Sequence, residues 1–331
     1  MRKGSVLVLT LWSLSLLSVF VLTVGEGLRQ KLTLWKRLEV ADDLLSLAYS
    51  AVEKAKAVLK EDSGQDLDTL NEGWSLSTVK LNNFALANGQ ITIGSPDKPG
   101  LVDEERKINF NQADVKTIQR VLVSSANLSN SEAEELAYCI VDWRDSDSNY
   151  GHAEYGAEDK DYEDERVPYS CKDAPMEALE ELLLVKGMNR DIFNRLKPWV
   201  TVYGSGSVNV NTAPEEILTA VGLSQSTVRK ILEHRSGPDA EDGTSDDKAF
   251  QQAEAVTTDL AWDKPPITEA EKIEIDNLVS AGRLGVASSF FTVPVRVSLE
   301  RSPATLSMEA VINRLGKTVY FRPEKIDFHR G

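Results

Sequence analysis

Between Asp142 and Glu165 the chain reads DWRDSDSNYGHAEYGAEDKDYEDE, ten carboxylates against Arg144 and Lys160, a local charge of −8. Crowded carboxylates repel one another, and a hard cation that takes six to eight oxygen ligands removes that cost, so the chemistry this pattern offers is calcium binding. Asp142, Asp145 and Asp147 lie close along the chain, and Glu158 and Asp159 return after a glycine-containing turn. A charge run is ordinarily a solvated loop. Here Trp143, Tyr150, Tyr155 and Tyr162 are interleaved with the acids and would anchor them together. Asp145, Asp147 and Asn149 begin like an EF-hand, but the glycine comes one place late at Gly151 and Gly156 stands where the bidentate Glu belongs. An EF-hand is excluded and an irregular calcium site is expected. A second acidic stretch, GPDAEDGTSDD at 237–247, offers Asp239, Asp242, Asp246 and Asp247 on either side of Gly243, as a second ion site or as a solvated loop.

Other chemistry is thin. The three histidines, His152, His234 and His329, have no metal-ligand spacing, and no Ser or Cys nucleophile motif is present, so an enzyme is not expected. Cys139 and Cys171 flank the first acidic stretch. Outside the cytoplasm they can pair and staple it, worth about 3 to 4 kcal/mol; the alternative is that Cys139 is a buried helix residue.

The elements that must position these acids begin at the other end of the chain. After Arg2 and Lys3 no charged side chain occurs between Gly4 and Gly25, long enough for a helix to cross a hydrocarbon layer about 30 Å thick. A signal peptidase could cut before Glu26, but from Leu28 to Ser63 there is neither glycine nor proline. Apolar residues recur at helical spacing there, from Leu28 through Leu38, Leu45 and Val52 to Leu59. One helix is therefore expected to run from inside the membrane far out of it, exposing Leu38, Leu45, Val52 and Leu59 to partners. Arg2 and Lys3 mark the short side as cytoplasmic. The rest, with a chain charge of −15, lies outside, and its acidity disfavours phosphate backbones.

KINFNQADVKTIQRVL at 107–122 and SVNVNTAPEEILTAVG at 207–222 form an internal repeat, each a short extended piece followed by a helix. Asn109, Asn111, Asn209 and Asn211 read as turn and capping residues, with Asn111 and Thr212 placed to accept N–H bonds at the helix starts. Two helices hinged at Gly187, and two more at Gly222, have the outline of a helix-hairpin-helix unit; a membrane-anchored DNA receptor is the rival from another class. From Ser288 the pattern changes to period two, and FFTVPVRVSLE, ATLSMEAVINRL and KTVYFRPEK predict three strands, with GQITIG and LSTVKL as shorter ones earlier. The fold expected is α+β, a helical region inserted between parts of a small antiparallel sheet that packs on the long N-terminal helix.

Together these pieces resemble the K-type minor pseudopilins of bacterial type II secretion. The resemblance covers nearly the whole chain and rests on the basic leader ending at Gly4, on DEERKINFNQA, on VDWRDSD with GAEDKDYE, on ALEELLLVKGM with LKPWVTVYG, and on VNVNTAPEEIL. It implies a leader of residues 1–4 cut by prepilin peptidase between Gly4 and Ser5, methylation of the new terminus, and a span over 5–25 in the inner membrane. It further implies a pilin-like fold from 26–106 and 285–331, a helical SAM-like insertion over 107–284, and calcium bound in that insertion. The partners implied are the I-type and J-type minor pseudopilins at the tip of the pseudopilus and the major pseudopilin; nucleic acid is not expected. Most pilin-like subunits carry Glu at the fifth mature position, where this chain has Leu9, and it resembles K-type members in lacking that Glu. A tip subunit of a related pilus or DNA-uptake machine is the nearest alternative.

Overall fold

The computed structural model describes residues 3–62, 64, 66–75, 81, 84–95, 100–164, 166–300 and 302–328. Most of the stretch LSTVKL lies outside them. Helix α1 runs unbroken over Lys3–Glu61, so Gly25 and Gly27 leave it continuous. Its first third is exposed and apolar, with a mean hydropathy of 2.3, and among the described residues it alone is long and apolar enough to cross a membrane. The hydroxyls of Thr10, Ser13, Ser18 and Thr23 donate back to the carbonyls of Leu7, Leu9, Leu14 and Val19, so each is satisfied within the helix. Hydrocarbon supplies no partner for a hydroxyl, which makes that arrangement suited to lipid.

The last third of α1 is a packing surface. Ala48, Ala51 and Ala55 are fully buried and small enough to bring the helix close to a sheet, while Leu44, Val52 and Leu59 fill the space beside them. The sheet comprises β1 (Phe84–Leu86), β2 (Gly89–Ile93), β3 (Val102–Asp103) and, from the far end of the chain, three longer strands. Between β3 and those strands lie β4 (Ile108–Asn109), α2 (Val115–Ala126), α3 (Asn130–Arg144), α4 (Asp159–Glu163), α5 (Arg190–Leu196), β5 (Val200–Thr201), β6 (Val208–Asn209), α6 (Glu215–Val221), α7 (Gln225–Arg235), α8 (Val256–Ala261), α9 (Glu269–Ser280) and β7 (Leu284–Gly285). The closing strands are β8 (Phe290–Leu299), β9 (Ser302–Asn313) and β10 (Thr318–Phe328), each where period-two patterning predicts it. All six strands of the sheet pair antiparallel, in the order β1-β2-β8-β9-β10 with β3 on β8. Alternation along β8 puts Phe291, Val293, Val295 and Val297 against α1. Fully burying each such side chain contributes about 1.5 to 3 kcal/mol.

The helices form a separate core around Phe110, Ile118, Leu122, Ile140, Leu218 and Ile231. Three local expectations are corrected. ALEELLL forms a 3-10 turn over Leu179–Leu184 in place of a full helix, with Glu181 turned back to accept the N–H groups of Glu177 and Ala178. Asn111 and Thr212 do not cap helices: Asp114 caps α2, Asn111 bridges to Met176 and Val202, and Thr212 donates to Asp103. The apolar stripe of α1 divides, since Val52 and Leu59 are buried under the sheet, Leu45 is half-buried, and Leu38 is exposed.

Candidate metal centre

Each repeat builds the same frame. Asn109 Oδ1 accepts the N–H of Asn111 at 2.8 Å, and Asn209 Oδ1 accepts that of Asn211 at 3.0 Å, closing equivalent Asx turns. The strand carrying each turn pairs parallel with a later one, Ile108 opposite Val200 and Val208 opposite Leu284. An arginine at the end of the following helix pair ties each turn down: Arg144 donates to the carbonyls of Phe110 and Ala113, and Arg235 to those of Val210 and Ala213. The two acidic segments leave the frame immediately after these arginines.

The first segment folds over the end of α3. Asp142 is fully buried; its Oδ1 accepts the N–H of Gly151 at 3.0 Å and its Oδ2 that of Ala157 at 3.1 Å. A Cβ at Gly156 would lie 2.2 Å from Asp142 Oδ2, and the residue has φ +108°, so the turn requires glycine there. Rings hold the loop: Tyr138, His152 and Tyr155 stack on its outer side, and Trp143 meets Tyr162 edge-on with centroids 5.2 Å apart. This loop brings Glu158, with Asp145, Asp147 and Asp173, to the end of α3. Glu158 is 4% exposed, and neither of its carboxylate oxygens has a hydrogen-bond partner among the described residues. Asp145 Oδ1 and Asp173 Oδ1 are likewise buried and unpartnered. Burial, then Asp142, Asp145, Asp173 and Asp147, push the Glu158 carboxyl up to about 7. Asp145 is raised by burial first and by Asp147 and Asp173, and Asp142 by burial first.

Buried, donorless, mutually repelling oxygens are what a hard cation satisfies, so the donor set fits calcium. Cys171 Sγ lies within 4.8 Å of ligand atoms of Glu158 and Asp173, which raises a softer metal. Burial pushes that thiol up to about 12, and it is one sulfur beside the carboxylates of Glu158, Asp145 and Asp173, a donor set that favours the hard cation. Cys139 and Cys171 are separate buried thiols, Cys171 turned toward the Asp142 carbonyl. Asp159 turns to a positioning role, its Oδ1 accepting the Cys171 N–H at 2.8 Å and so placing the segment that delivers Asp173. Asp173 is absent from the sequence reading; it is an isolated acid, eight residues beyond the charge run, and adopts φ +50°.

The second segment differs. Asp242 forms a two-pronged pair with Arg235, at 3.0 and 2.7 Å. Asp246 accepts from Thr244 Oγ1 at 2.7 Å and from the Asp239 N–H, Asp247 from the Gly243 N–H at 2.7 Å, and Asp239 from the Glu241 N–H. The Thr244 hydroxyl first, and the Asp239 N–H after it, hold Asp246 below the usual carboxylate range. Asp239 and Asp246 sit side by side with donors already in place and water at hand.

A third group of acids, also missed in the sequence, sits where the helical core meets the sheet. Asp103 is fully buried, accepting from Thr212 Oγ1 and Asn209 Nδ2. Asp68 accepts the Ser288 N–H at 2.7 Å and pairs with Arg314; Glu105 accepts the N–H of Ser289 and Phe290. Burial raises Asp68 to about 7 and Glu105 to about 8.

The family model for type II secretion system protein K, first domain, matches residues 81–205, which contain the whole first acid cluster. The type II secretion system protein K of Pectobacterium carotovorum subsp. carotovorum is 34% identical over 114 residues, 33% of this chain and 34% of that protein. The protein K of Aeromonas hydrophila is 26% identical over 241 residues, 67% of this chain and 71% of that protein. Among solved structures, a chain of the GspK-GspI-GspJ complex of enterotoxigenic Escherichia coli shares the fold, with a TM-score of 0.62 and 18% identity over 92% of this chain and 99% of that one.

Proposed function

We propose that the chain is a member of the type II secretion system protein K family, a minor pseudopilin that assembles at the tip of the secretion pseudopilus and acts by binding partners, without catalysis. The observation that carries this reading is the division of α1 into a lipid-suited third and a sheet-packed third, in a chain whose family match contains the acid cluster. In this reading residues 1–4 are removed by prepilin peptidase between Gly4 and Ser5, the new terminus is methylated, and the helix stays in the inner membrane with its N-terminus cytoplasmic. Leu9 supports the tip position, because a subunit with none above it has no amine for a fifth-position carboxylate to meet, and an unpaired carboxylate in hydrocarbon is costly.

The partners proposed are the I-type and J-type minor pseudopilins, the two kinds named beside the K subunit in the related complex. Leu34, Leu38 and the half-buried Leu45 share one face of α1, and further on the same face enters the sheet core as Val52 and Leu59. That leaves the stretch before Leu45 for a neighbouring helix. The soluble part, from about Leu28, mixed with the soluble parts of candidate I and J subunits at tens of micromolar, should form a one-to-one-to-one complex by light scattering. A mixture that stays monomeric refutes the tip role.

Calcium is proposed at Asp142, Asp145, Asp147, Glu158 and Asp173, where it would neutralise the cluster and fix the loop on α3; backbone carbonyls and water complete the shell. Asp239, Asp246 and Asp247 are proposed as a weaker, more exposed second position. The DNA-receptor reading finds no support at the Gly222 turn, whose N–H bonds to Thr219 O and whose flanking helices present Glu215, Glu216 and Glu233.

A further inference from the structure

Directly beyond the apolar third of α1 the charge of the chain reverses. Residues 25–38 hold Arg29, Lys31, Lys36 and Arg37 against Glu26 alone, a net of +3 in a chain of net −15. All four basic residues are exposed. Among the described residues Arg29, Lys31 and Lys36 make no ion pair, and Arg37 lies over the Phe328 ring at 5.6 Å. With a rise of 1.5 Å per residue, Arg29 and Lys31 lie about 8 and 10 Å past Val24, within the headgroup layer, and the long side chain of Lys36 can reach back toward it. Their directions differ: at 100° per residue from Leu28, Lys36 and Arg29 point to about 80° and 100°, Arg37 to about 180° and Lys31 to about 300°.

A partner helix touches one side of α1, whereas lipid headgroups surround it, and these charges point to two nearly opposite sides, Arg29 and Lys36 to one and Lys31 to the other. Exposed Leu28, Leu32 and Trp35 stand between them, the mixture of aromatic, apolar and basic side chains that suits an interface. We propose that Arg29, Lys31 and Lys36 form a basic collar that binds anionic phospholipid headgroups of the leaflet facing the soluble domain. The collar fixes the depth of α1 in the bilayer and must be released when the subunit is drawn from the membrane into a filament. This rests on reading the start of α1 as a retained span.

The test is reconstitution of the full chain into phosphatidylcholine vesicles containing about one-fifth phosphatidylglycerol, with lipid selectivity read by electron paramagnetic resonance of spin-labelled lipids. Spin-labelled phosphatidylglycerol should be preferred over spin-labelled phosphatidylcholine by at least about five-fold, the effect of one basic residue near the surface. The preference should collapse in 0.5 M salt. Arg29→Gln with Lys31→Gln and Lys36→Gln should remove most of it, whereas Arg2→Gln with Lys3→Gln, on the other leaflet, should leave most of it. These side chains lie outside both cores, so the variants keep the fold. No preference in the parent overturns the proposal and gives the collar to an acidic protein surface, and a preference that survives the triple change does so too. Carbonate washing that strips the parent from vesicles would refute the span itself, a separate result.

Discussion

The acidic segments after Arg144 and after Arg235 occupy equivalent places in the two halves of the helical region, each beginning where an arginine pins an Asx turn. In sequence they look alike. In the fold, the second gives its carboxylates to its own N–H groups, to Thr244 and to Arg235, whereas the first leaves both oxygens of Glu158, and one each of Asp145 and Asp173, buried without a donor. The difference lies in the supply of donors. Density of charge marks where carboxylates are; the absence of N–H groups around buried ones marks where a cation is needed.

The comparison breaks first at Asp142. Asp142→Ala strands the Gly151 and Ala157 N–H groups and should lower stability by about 2 to 5 kcal/mol, whereas Asp239→Ala, in the exposed loop, should change it by less than about 0.5 kcal/mol. Chemical denaturation of the two variants checks this; equal losses would show that the segments are alike after all. The arginines sharpen it. Arg144→Met bares the Phe110 and Ala113 carbonyls and should cost about 2 to 3 kcal/mol, and Arg235→Met, which bares the Val210 and Ala213 carbonyls and also unpairs Asp242, should cost at least as much if the frame is a true repeat. A loss confined to one of them would make the likeness of the halves superficial.

Much of this organisation is legible in the sequence. Strands β8 and β9 announce themselves because one face of each is buried and alternation follows; β10 keeps the period with Phe321 and Ile326 only half-buried. Helix α1 announces itself because nothing in it breaks a helix. Asp173 gives no signal, since its place beside Glu158 depends on the Asp159 bond to Cys171, a contact between segments twelve residues apart. Arg144 and Arg235 hide for the same reason: each reads as a helix-end base, and its carbonyl partners lie 34 and 25 residues upstream. The stripe on α1 has the right period throughout, but period alone does not tell which turns meet a sheet.

A smaller effect separates the junction acids from both loops. Asp68 and Glu105 titrate near 7 and 8 in the fold, above the ordinary carboxylate range, so the folded state holds more protons than the unfolded chain. Their stabilising contribution is full in acid and is lost as pH rises through 7 and 8. In saturating calcium, proposed to remove the repulsion at Glu158, melting temperature should fall by a few degrees between pH 5.5 and 8.5. Glu105→Gln should flatten that slope, and a melting temperature that rises over the interval would contradict the junction account.

The central claim is that the first acid cluster, and chiefly Glu158 and Asp173, is a calcium site, and calcium titration with thermal melting of the soluble part tests it most directly. A hundredfold excess of calcium over Kd should add about 2.7 kcal/mol, reversed by chelator. Glu158→Gln with Asp173→Asn should abolish that increment, and Asp239→Asn with Asp246→Asn should leave most of it. A melting temperature indifferent to calcium, or an increment that survives the first pair of changes, would contradict the account.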